Sequence, residues 1–281
     1  MILYQTQQRM TIVIMWKRID KELSEFRTCF TRQATYEWFV VMIIGLMLRS
    51  DQVGLTSIIR ELSISPKSYP AMMHFFRSQA WKLEDLIQTW TKLVYRKAPI
   101  YKKDGITILV GDGVKQSKEA RKMPGVKRLH QESENSSKAE FIFGHMFGGI
   151  GVLIGDPSKK LFCLPLSIRL HDGVNMIRNW RKKQNNYECE GSHIVQIIND
   201  AFQAAKCMGE SLVLLDGYYL SIFALMKRAE LLEKSETMLH LLTKAKKSCR
   251  AYTKPGEYKG KVVLVKRRDH QTSRPLYIKE E

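Results

Sequence analysis

The apolar positions of the chain follow a helical period up to about residue 98 and a strand period beyond it. Within the first part, residues 33–48 are apolar nearly all round, which predicts a central helix. Its most apolar stretch, WFVVMIIGLML at 38–48, is far shorter than the roughly 20 residues that cross a bilayer. We therefore expect a buried helix here and no membrane span.

Two shorter helices follow in a helix-turn-helix spacing. The first is predicted over 55–62 (LTSIIREL), with Thr56 or Ser57 as its cap. The turn SISPKS precedes a second helix over 69–81. The second helix of such a pair can enter the DNA major groove, but helical bundles show the same spacing. The pattern predicts the two helices and leaves DNA docking open.

The second part of the chain, after the polar stretch KAPIYKKDG, alternates strands with helices. We predict a hairpin turn at GDPSKK between the second and third strands. Strands are predicted at 106–112, 141–154, 161–166, 211–215 and 238–243, and helices at 192–208 and 217–234.

This order of elements is that of a ribonuclease-H-like sheet: three strands in a meander, then helix, strand, helix and strand. The predicted fold class is therefore α/β, a mixed sheet with flanking helices, preceded by an all-helical N-terminal region. The predicted domains are 1–98, helical and a candidate for DNA binding, and 99–281, ribonuclease-H-like.

The charge of the chain favours a polyanionic partner. Lys and Arg number 46 against 28 acidic residues, a net charge of +18, which attracts nucleic acid. The five cysteines form no Cys-x-x-Cys pair, which argues against a zinc site or a disulfide framework. One basic cluster follows the first strand, and we expect some of its members to contact phosphates unless it is only a solvated face: Lys115, Lys118, Arg121, Lys122, Lys127 and Arg128.

Two aspartates carry the candidate chemistry. Asp112 closes the first predicted strand and Asp216 closes the fourth, and these strands are neighbours in a ribonuclease-H-like sheet. Two adjacent carboxylates repel unless a cation lies between them, and Mg²⁺ or Mn²⁺ prefers oxygen ligands. The alternative is that each aspartate, which precedes a glycine, caps a turn or helix.

Several stretches resemble insertion-sequence transposases of the DDE superfamily. They are the segment that begins GDGVKQSKEARKMPG at 111, LPLSIRLHDG at 164, SLVLLDGYY at 211, LLTKAKKSCRAY at 241 and, upstream, FRTCFTRQATYEWFVVMIIGLML. The resemblance implies that Asp112 and Asp216 match the first two catalytic, metal-binding acids of the family's triad. It further implies a bacterial, cytoplasmic and nucleoid-associated endonuclease that acts on double-stranded DNA, both transposon ends and target. Cleavage and strand transfer would use two divalent metal ions where the site is complete. A homodimer on the DNA is a further expectation.

The third acid of that triad has no clear match. Glu257 lies in a turn-like stretch, Glu280 and Glu281 form a bare terminus, and nothing places Glu188 or Glu190 near the sheet edge. We expect the chain to be truncated before this ligand, which puts its catalysis in doubt. Other polar residues receive structural interpretations: His145 and the pair Tyr218 and Tyr219 as core, and Asp172 as a turn residue.

Three functions remain open from the sequence. The first is a transposase that carries out metal-dependent strand cleavage and transfer. The second is a non-catalytic fragment that occupies transposon ends and would inhibit a full-length transposase. The third is an unrelated basic nucleic-acid-binding protein in which the aspartate pair is coincidental.

Overall fold

A computed structural model describes residues 2–50, 54–118, 123, 125–131, 140–171, 192–245, 256–258 and 261–263. The chain divides into two compact units, residues 1–94 and 95–281. The boundary falls close to the change of hydrophobic period at about residue 98. The functional roles predicted for the two domains stay predictions.

The first unit is helical. The helices of the chain up to the sheet are α1 (Ile2–Ser24), α2 (Gln33–Leu48), α3 (Leu55–Glu61), α4 (Tyr69–Arg77) and α5 (Leu83–Lys97). An aromatic core connects α2 with α4: the Phe30 ring centroid lies 5.1 Å from that of Phe39 in α2 and 6.5 Å from that of Phe75 in α4, and Phe75 stacks on Trp81 at 5.0 Å.

The structure corrects two details predicted for α3 and α4. α4 ends at Arg77 rather than at 81, because Trp81 leaves the helix to form a β-bridge with Phe30 and donates its indole N–H to the Phe75 carbonyl. Gly54 is the N-cap residue of α3 and has no side chain, while the Ser57 hydroxyl donates to the Gly54 carbonyl instead of capping.

α2 is only partly buried, because its last turn, 46–48, is exposed although it is fully apolar. Among the described residues, the structure holds no helix that combines the length and the apolar character of a membrane span.

The second unit contains a mixed sheet flanked by two helices, α6 (His193–Met208) and α7 (Ile222–Glu233). The strands are β1 (Lys102–Lys103), β2 (Ile106–Ser117), β3 (Lys127–His130), β4 (Phe141–Asp156), β5 (Lys160–Leu170), β6 (Ser211–Leu215) and β7 (Leu239–Thr243); β8 (Gly256–Tyr258) and β9 (Lys261–Val263) form a separate hairpin.

The strand order confirms the predicted ribonuclease-H-like arrangement. β4 pairs antiparallel with both β2 and β5, and β2, β6 and β7 then run parallel to one another. The short strands β1 and β3 extend the edges by pairing with β2 and β4. The hairpin between β4 and β5 turns at Asp156, whose carboxylate accepts from the backbone and hydroxyl of Ser158. The predicted α/β class and topology are therefore correct.

The core of the second unit lies between the sheet and α6. Leu109, Val152 and Val213, one from each of three adjacent strands, are fully buried. α6 covers β2 and β4 with an apolar face, and Ser192 caps its first turn by accepting from the Val195 N–H. The two aspartates follow directly from the buried segments of β2 and β6.

Leu109 is a test of this packing. We expect Leu109→Ala to lower the free energy of unfolding by about 2–5 kcal/mol, because it leaves a cavity at the centre of the sheet. Val114→Ala is the matched control, since Val114 lies on the same strand and is 55% exposed, and it should change stability by no more than about 0.5 kcal/mol. Urea denaturation followed by circular dichroism measures both. Equal losses in the two variants would contradict the central position of β2.

Candidate functional site

The register of β2 and β6 places two carboxylate residues side by side. Their last paired residues are Gly111 and Leu215, and the next residue on each strand is Asp112 or Asp216. Neighbouring strands lie about 4.8 Å apart. Both aspartates are exposed. The structure thus brings Asp112 and Asp216 together at one edge of the sheet, which we call the carboxylate edge.

Each aspartate also makes the local cap that the alternative interpretation predicts. Oδ1 of Asp112 accepts from the Gly113 N–H at 2.7 Å, and Oδ1 of Asp216 accepts from the Gly217 N–H at the start of a 3-10 turn. An ionised carboxylate has about four lone-pair sites. One backbone hydrogen bond leaves enough acceptor capacity for a cation, so the capping and metal-binding roles are compatible.

Tyr219 lies buried beside this edge, with 3% of its surface exposed. Its hydroxyl is 2.9 Å from Nε2 of His193. Burial raises the pKa of the Tyr219 phenol, and electrostatic interactions with Asp112, Tyr218 and Asp216 raise it further. Tyr219 therefore stays protonated near neutral pH. Tyr218, predicted as core, is instead 49% exposed.

Behind Tyr219 a series of polar side chains continues into the protein. Nδ1 of His193 is in hydrogen-bond contact with Nδ1 of His171, and Nε2 of His171 lies 3.3 Å from Oδ2 of Asp200. Oδ1 of Asp200 is 3.0 Å from Nε of Arg169. His171 is 1% exposed and Asp200 is 8% exposed. We call Asp200, His171, His193 and Tyr219 the histidine chain.

His193 is neutral near pH 7 in this environment. Burial lowers the pKa of its imidazole to about 4, and electrostatic interactions with the neighbouring His171, Lys127 and Lys115 lower it further. A second proton on His193 would add charge to a site that already has cations around it.

Two glycines provide the space for the histidine chain. A Cβ at Gly148 on β4 would collide with the His171 ring. A Cβ at Gly113 on β2 would lie 2.9 Å from the Tyr219 hydroxyl and 3.0 Å from Nε2 of His193. At both positions a Cβ atom would lie closer to these rings than ordinary van der Waals contact allows, so the histidine chain requires glycine at 113 and 148.

Four members of the predicted basic cluster lie in the described part of the chain. Lys115 donates to the His130 carbonyl at 2.8 Å and Lys127 donates to the His171 carbonyl at 3.1 Å. The guanidinium of Arg128 lies 3.9 Å from the ring centroid of Phe141, and Lys118 is exposed at the end of β2. Arg121 and Lys122 lie outside the described residues.

A second group of basic side chains lies in the helical unit. Arg32 precedes α2, and His74 and Arg77 lie one turn apart on α4. They line an open cavity of about 300 Å³ together with Thr31, Ser78, Gln79 and Ala80. The lining contains no acidic residue. The cavity brings Arg32, at the start of α2, next to Arg77 of the helix pair for which the sequence left DNA docking open, and we call it the arginine cavity.

The remaining candidates are a core histidine, one residue that is described only in its backbone, and five residues outside the described part of the chain. His145 is buried at 6% exposure in β4 and contacts Phe147 edge-on, in agreement with its interpretation as core. The backbone of Glu257 lies in β8. In the part of the chain that the structure describes, no group of three or more His, Cys, Asp or Glu residues could hold a metal ion. Asp172, Glu188, Glu190, Glu280 and Glu281 lie outside that part.

The sequence interpretation missed the histidine chain. One signal was present: His193 and Asp200 are seven residues apart, so they occupy one face of α6 two turns apart, and Asp200 lies among apolar residues of that face. A charged residue at such a position is rarely buried without a partner. The link to His171 was not visible, because it depends on where β5 ends in the sheet.

The fold and the paired carboxylates define a ribonuclease-H-like protein, and a comparison with protein families agrees. Residues 25–152 match the family model described as DDE superfamily endonuclease, slightly under half of the chain. The match supports a DDE-type, transposase-like protein. It includes Asp112 and ends before Asp216. No curated protein and no solved structure matches the chain.

The low pKa of His193 predicts how the free energy of unfolding depends on pH. The folded protein resists protonation of His193 down to about pH 4, whereas the unfolded chain takes up this proton near 6.5. Between these values the unfolded state binds more protons, so this residue makes the free energy of unfolding fall as the pH falls. We expect the fall to be smaller in His193→Gln. Urea denaturation of both proteins at pH 4 to 7.5 measures this free energy. Parallel plots of the free energy of unfolding against pH would contradict a lowered pKa of His193.

Proposed function

We propose that this protein binds DNA and carries out metal-dependent strand cleavage and transfer at the carboxylate edge, as a DDE transposase does. The observation that carries the proposal is the juxtaposition of Asp112 and Asp216 directly after the parallel-paired segments of β2 and β6. The family match supports an endonuclease, and endonucleases of this family imply a DNA substrate. Transposon ends and target DNA are the finer proposal, as is a homodimer on the DNA.

The carboxylate edge fits a divalent cation by the chemistry of its donors. Mg²⁺ binds proteins through one or two carboxylates and otherwise keeps water or substrate phosphate oxygens as ligands. Asp112 and Asp216 would hold Mg²⁺ or Mn²⁺, and a cation between them would offset their mutual repulsion. A bound pair of such ions would lower the pKa of water and stabilise the leaving oxygen in phosphodiester chemistry.

The basic residues around the site would bind the DNA. Lys115 and Lys127 lie close enough to His193 for their charge to lower its pKa, and His193 contacts Tyr219 beside the carboxylate edge. Phosphate contacts position a duplex without selecting its sequence. We propose that these lysines, with Lys118, Arg121, Lys122 and Arg128, hold the backbone over the aspartates. Discrimination of transposon ends would then come from another surface.

A second candidate function is a non-catalytic DNA-binding fragment that occupies transposon ends and would inhibit a full-length partner. Two observations favour it. No third acidic ligand joins Asp112 and Asp216 among the described residues. The arginine cavity lies in the helical unit and does not depend on the carboxylate edge. The two functions differ in whether DNA is cut.

Asp112 and Asp216 provide the first test. We expect the chain to nick supercoiled DNA in Mn²⁺, and either Asp112→Asn or Asp216→Asn to lower the rate at least about 100-fold. A loss of this size exceeds the 10- to 100-fold effect of residues that only support a metal ligand. The nicking rate in a gel assay is the measurement.

Asp104→Asn is the matched control, since Asp104 is an exposed aspartate of the same unit with positive φ, which asparagine tolerates. It should nick at the wild-type rate. DNA binding without nicking, unchanged in Asp112→Asn, would contradict the catalytic proposal and support the binding fragment.

Arg77 tests whether the arginine cavity contacts DNA. Arg77→Gln removes one charge from α4, so we expect the slope of log affinity against log salt to decrease by about 1. Lys92→Gln, an exposed position on α5, removes the same charge away from the cavity and should change the slope less. Fluorescence anisotropy with labelled duplexes at several salt concentrations measures it.

Equal slopes for Arg77→Gln and Lys92→Gln would show that total charge, and not the arginine cavity, governs binding. The helix pair would then be ordinary helical packing.

A further inference from the structure

Asp112 lies on the side of the sheet that faces away from α6. A Cβ atom at Gly111 would lie 3.6 Å from Cγ1 of Ile197 on α6, and a Cβ atom at Gly113 would lie 3.0 Å from Nε2 of His193 on the same helix. Both positions therefore face α6. Because successive residues of a strand point to opposite faces, Asp112 between them points away from that helix.

The register of the strands shows which residues share this side with Asp112. Residues that are directly paired in antiparallel strands lie on the same face. Asp112 is paired with Gly149 of β4, and Gly149 is paired with Ile168 of β5. Alternate positions along each strand also lie on one face. We call the resulting surface around Asp112 the aspartate face, and it includes Val114, Phe141, Phe143, Gly149, Ile168 and Leu170.

The aspartate face is apolar and exposed. The exposed fraction ranges from 38% to 57% for Val114, Phe141, Phe143, Ile168 and Leu170. The solvated face of an antiparallel sheet is ordinarily polar, and a group of exposed apolar side chains marks an interaction surface. The aspartate face is therefore a candidate binding surface that adjoins the carboxylate edge.

Gly149 leaves space beside Asp112 on this face. The nearest described atom to a Cβ at Gly149 would be 3.7 Å away, which is ordinary contact. At Gly144, Gly148 and Gly151 of the same strand, a Cβ would collide with a neighbouring atom. Packing thus requires glycine at these three positions but not at 149, although glycine costs stability within a strand. A strand glycine of this kind marks a place where a ligand approaches the backbone closely.

β4 carries the aromatic rings of the aspartate face. Phe141, Phe143, His145 and Phe147 occupy alternate positions that lead along the strand towards the carboxylate edge. His145 is buried in edge-on contact with Phe147, whereas Phe141 and Phe143 are exposed. The guanidinium of Arg128, which is paired with Phe143, lies 3.9 Å from the ring centroid of Phe141. The face therefore presents two exposed rings with a cation beside them.

This chemistry fits unpaired bases better than a duplex. A duplex presents its phosphates, which Lys and Arg neutralise. An unpaired strand exposes the flat faces of its bases, which stack on aromatic side chains with support from Arg. The net charge of +18 favours a polyanion on this face over a second copy of the same positive chain.

We propose that the aspartate face binds an unpaired stretch of DNA, with bases stacked on Phe141 and Phe143 and the strand passing over Gly149 to the carboxylate edge. The inference rests on the proposed function, because it names the state of the DNA that reaches Asp112. It also explains why apolar side chains, and not only basic ones, surround a site for a charged substrate.

Binding of a labelled single-stranded oligonucleotide without metal tests this surface separately from cleavage. Phe143→Ala should weaken the affinity about 5- to 150-fold, the range for the loss of one stack between a base and an aromatic ring. Phe162→Ala is the matched control and should leave the affinity unchanged. Phe162 is 54% exposed, but it is paired with Ile154, five positions from Gly149 and hence on the opposite face. Fluorescence anisotropy at one salt concentration measures both.

Phe143→Leu keeps the apolar bulk and removes only the ring, so the test does not depend on whether Phe143→Ala folds. It should also weaken single-strand binding. Affinities equal to that of Phe162→Ala would overturn the inference. If Phe143→Ala instead changed the molar mass in light scattering and left single-strand affinity unchanged, the face would be a contact between protein chains and the inference would be wrong.

Gly149→Val tests the space beside Asp112. The added side chain fits the described fold and valine favours strands, so the urea midpoint should not fall. Nicking in Mn²⁺ should slow about 10- to 100-fold, because the strand is displaced from the carboxylates. A lower urea midpoint or an unchanged nicking rate would overturn the role of Gly149.

The substrate itself supplies the last measurement. The wild-type chain should nick a duplex that contains an unpaired bubble at least about 10-fold faster than the same duplex fully paired, because a paired strand must first be opened. Equal rates on the two substrates would overturn the inference alone, provided that nicking requires Asp112. Single-strand binding that depends on Phe143, without nicking of either substrate, would overturn the proposed function and leave the binding surface established.

Discussion

The parallel pairing of β2 with β6 is the interaction on which the candidate site depends. Because Gly111 is level with Leu215, the next residues, Asp112 and Asp216, lie side by side where the pairing of the two strands ends, although β2 itself continues to Ser117 along β4. A slip of one residue in this register would turn one side chain to the opposite face. The buried strand segments resist such a slip, since Leu109 and Val213 are fully enclosed. The core of the sheet thus fixes the geometry of its edge.

The histidine chain links the same core to the same edge by polar contacts. His193 and Asp200 come from α6, His171 follows β5, and Tyr219 follows β6, so four side chains from three parts of the sequence meet beside Gly113 and Gly148. Burying these groups is costly unless each is satisfied. The arrangement therefore restrains α6 relative to β2 and β4 through hydrogen bonds as well as through apolar packing.

The sequence predicted the elements well because each strand and helix carries its own periodic signal. The strands at 211–215 and 238–243 agree with β6 and β7 to within one residue, and the helix at 192–208 agrees with α6. The errors occur where distant residues decide the outcome. α4 stops at Arg77 because Trp81 pairs with Phe30, fifty-one positions earlier, and no local signal marks that contact.

The sequence by itself determined the ribonuclease-H-like order of elements, the positive charge and the end of β6 before Asp216, since these follow from local periodicity and composition. Its prediction that the first strand ends at Asp112 was wrong, because β2 continues to Ser117 by pairing with β4. Only the tertiary structure decided that Tyr219, His193, His171 and Asp200 form one connected chain, because hydrogen bonds between side chains depend on distances across the fold that spacing along the polymer does not encode. The same holds for the arginine cavity, whose lining comes from the start of α2 and the end of α4. Local sequence specifies elements, whereas the packing of those elements specifies sites.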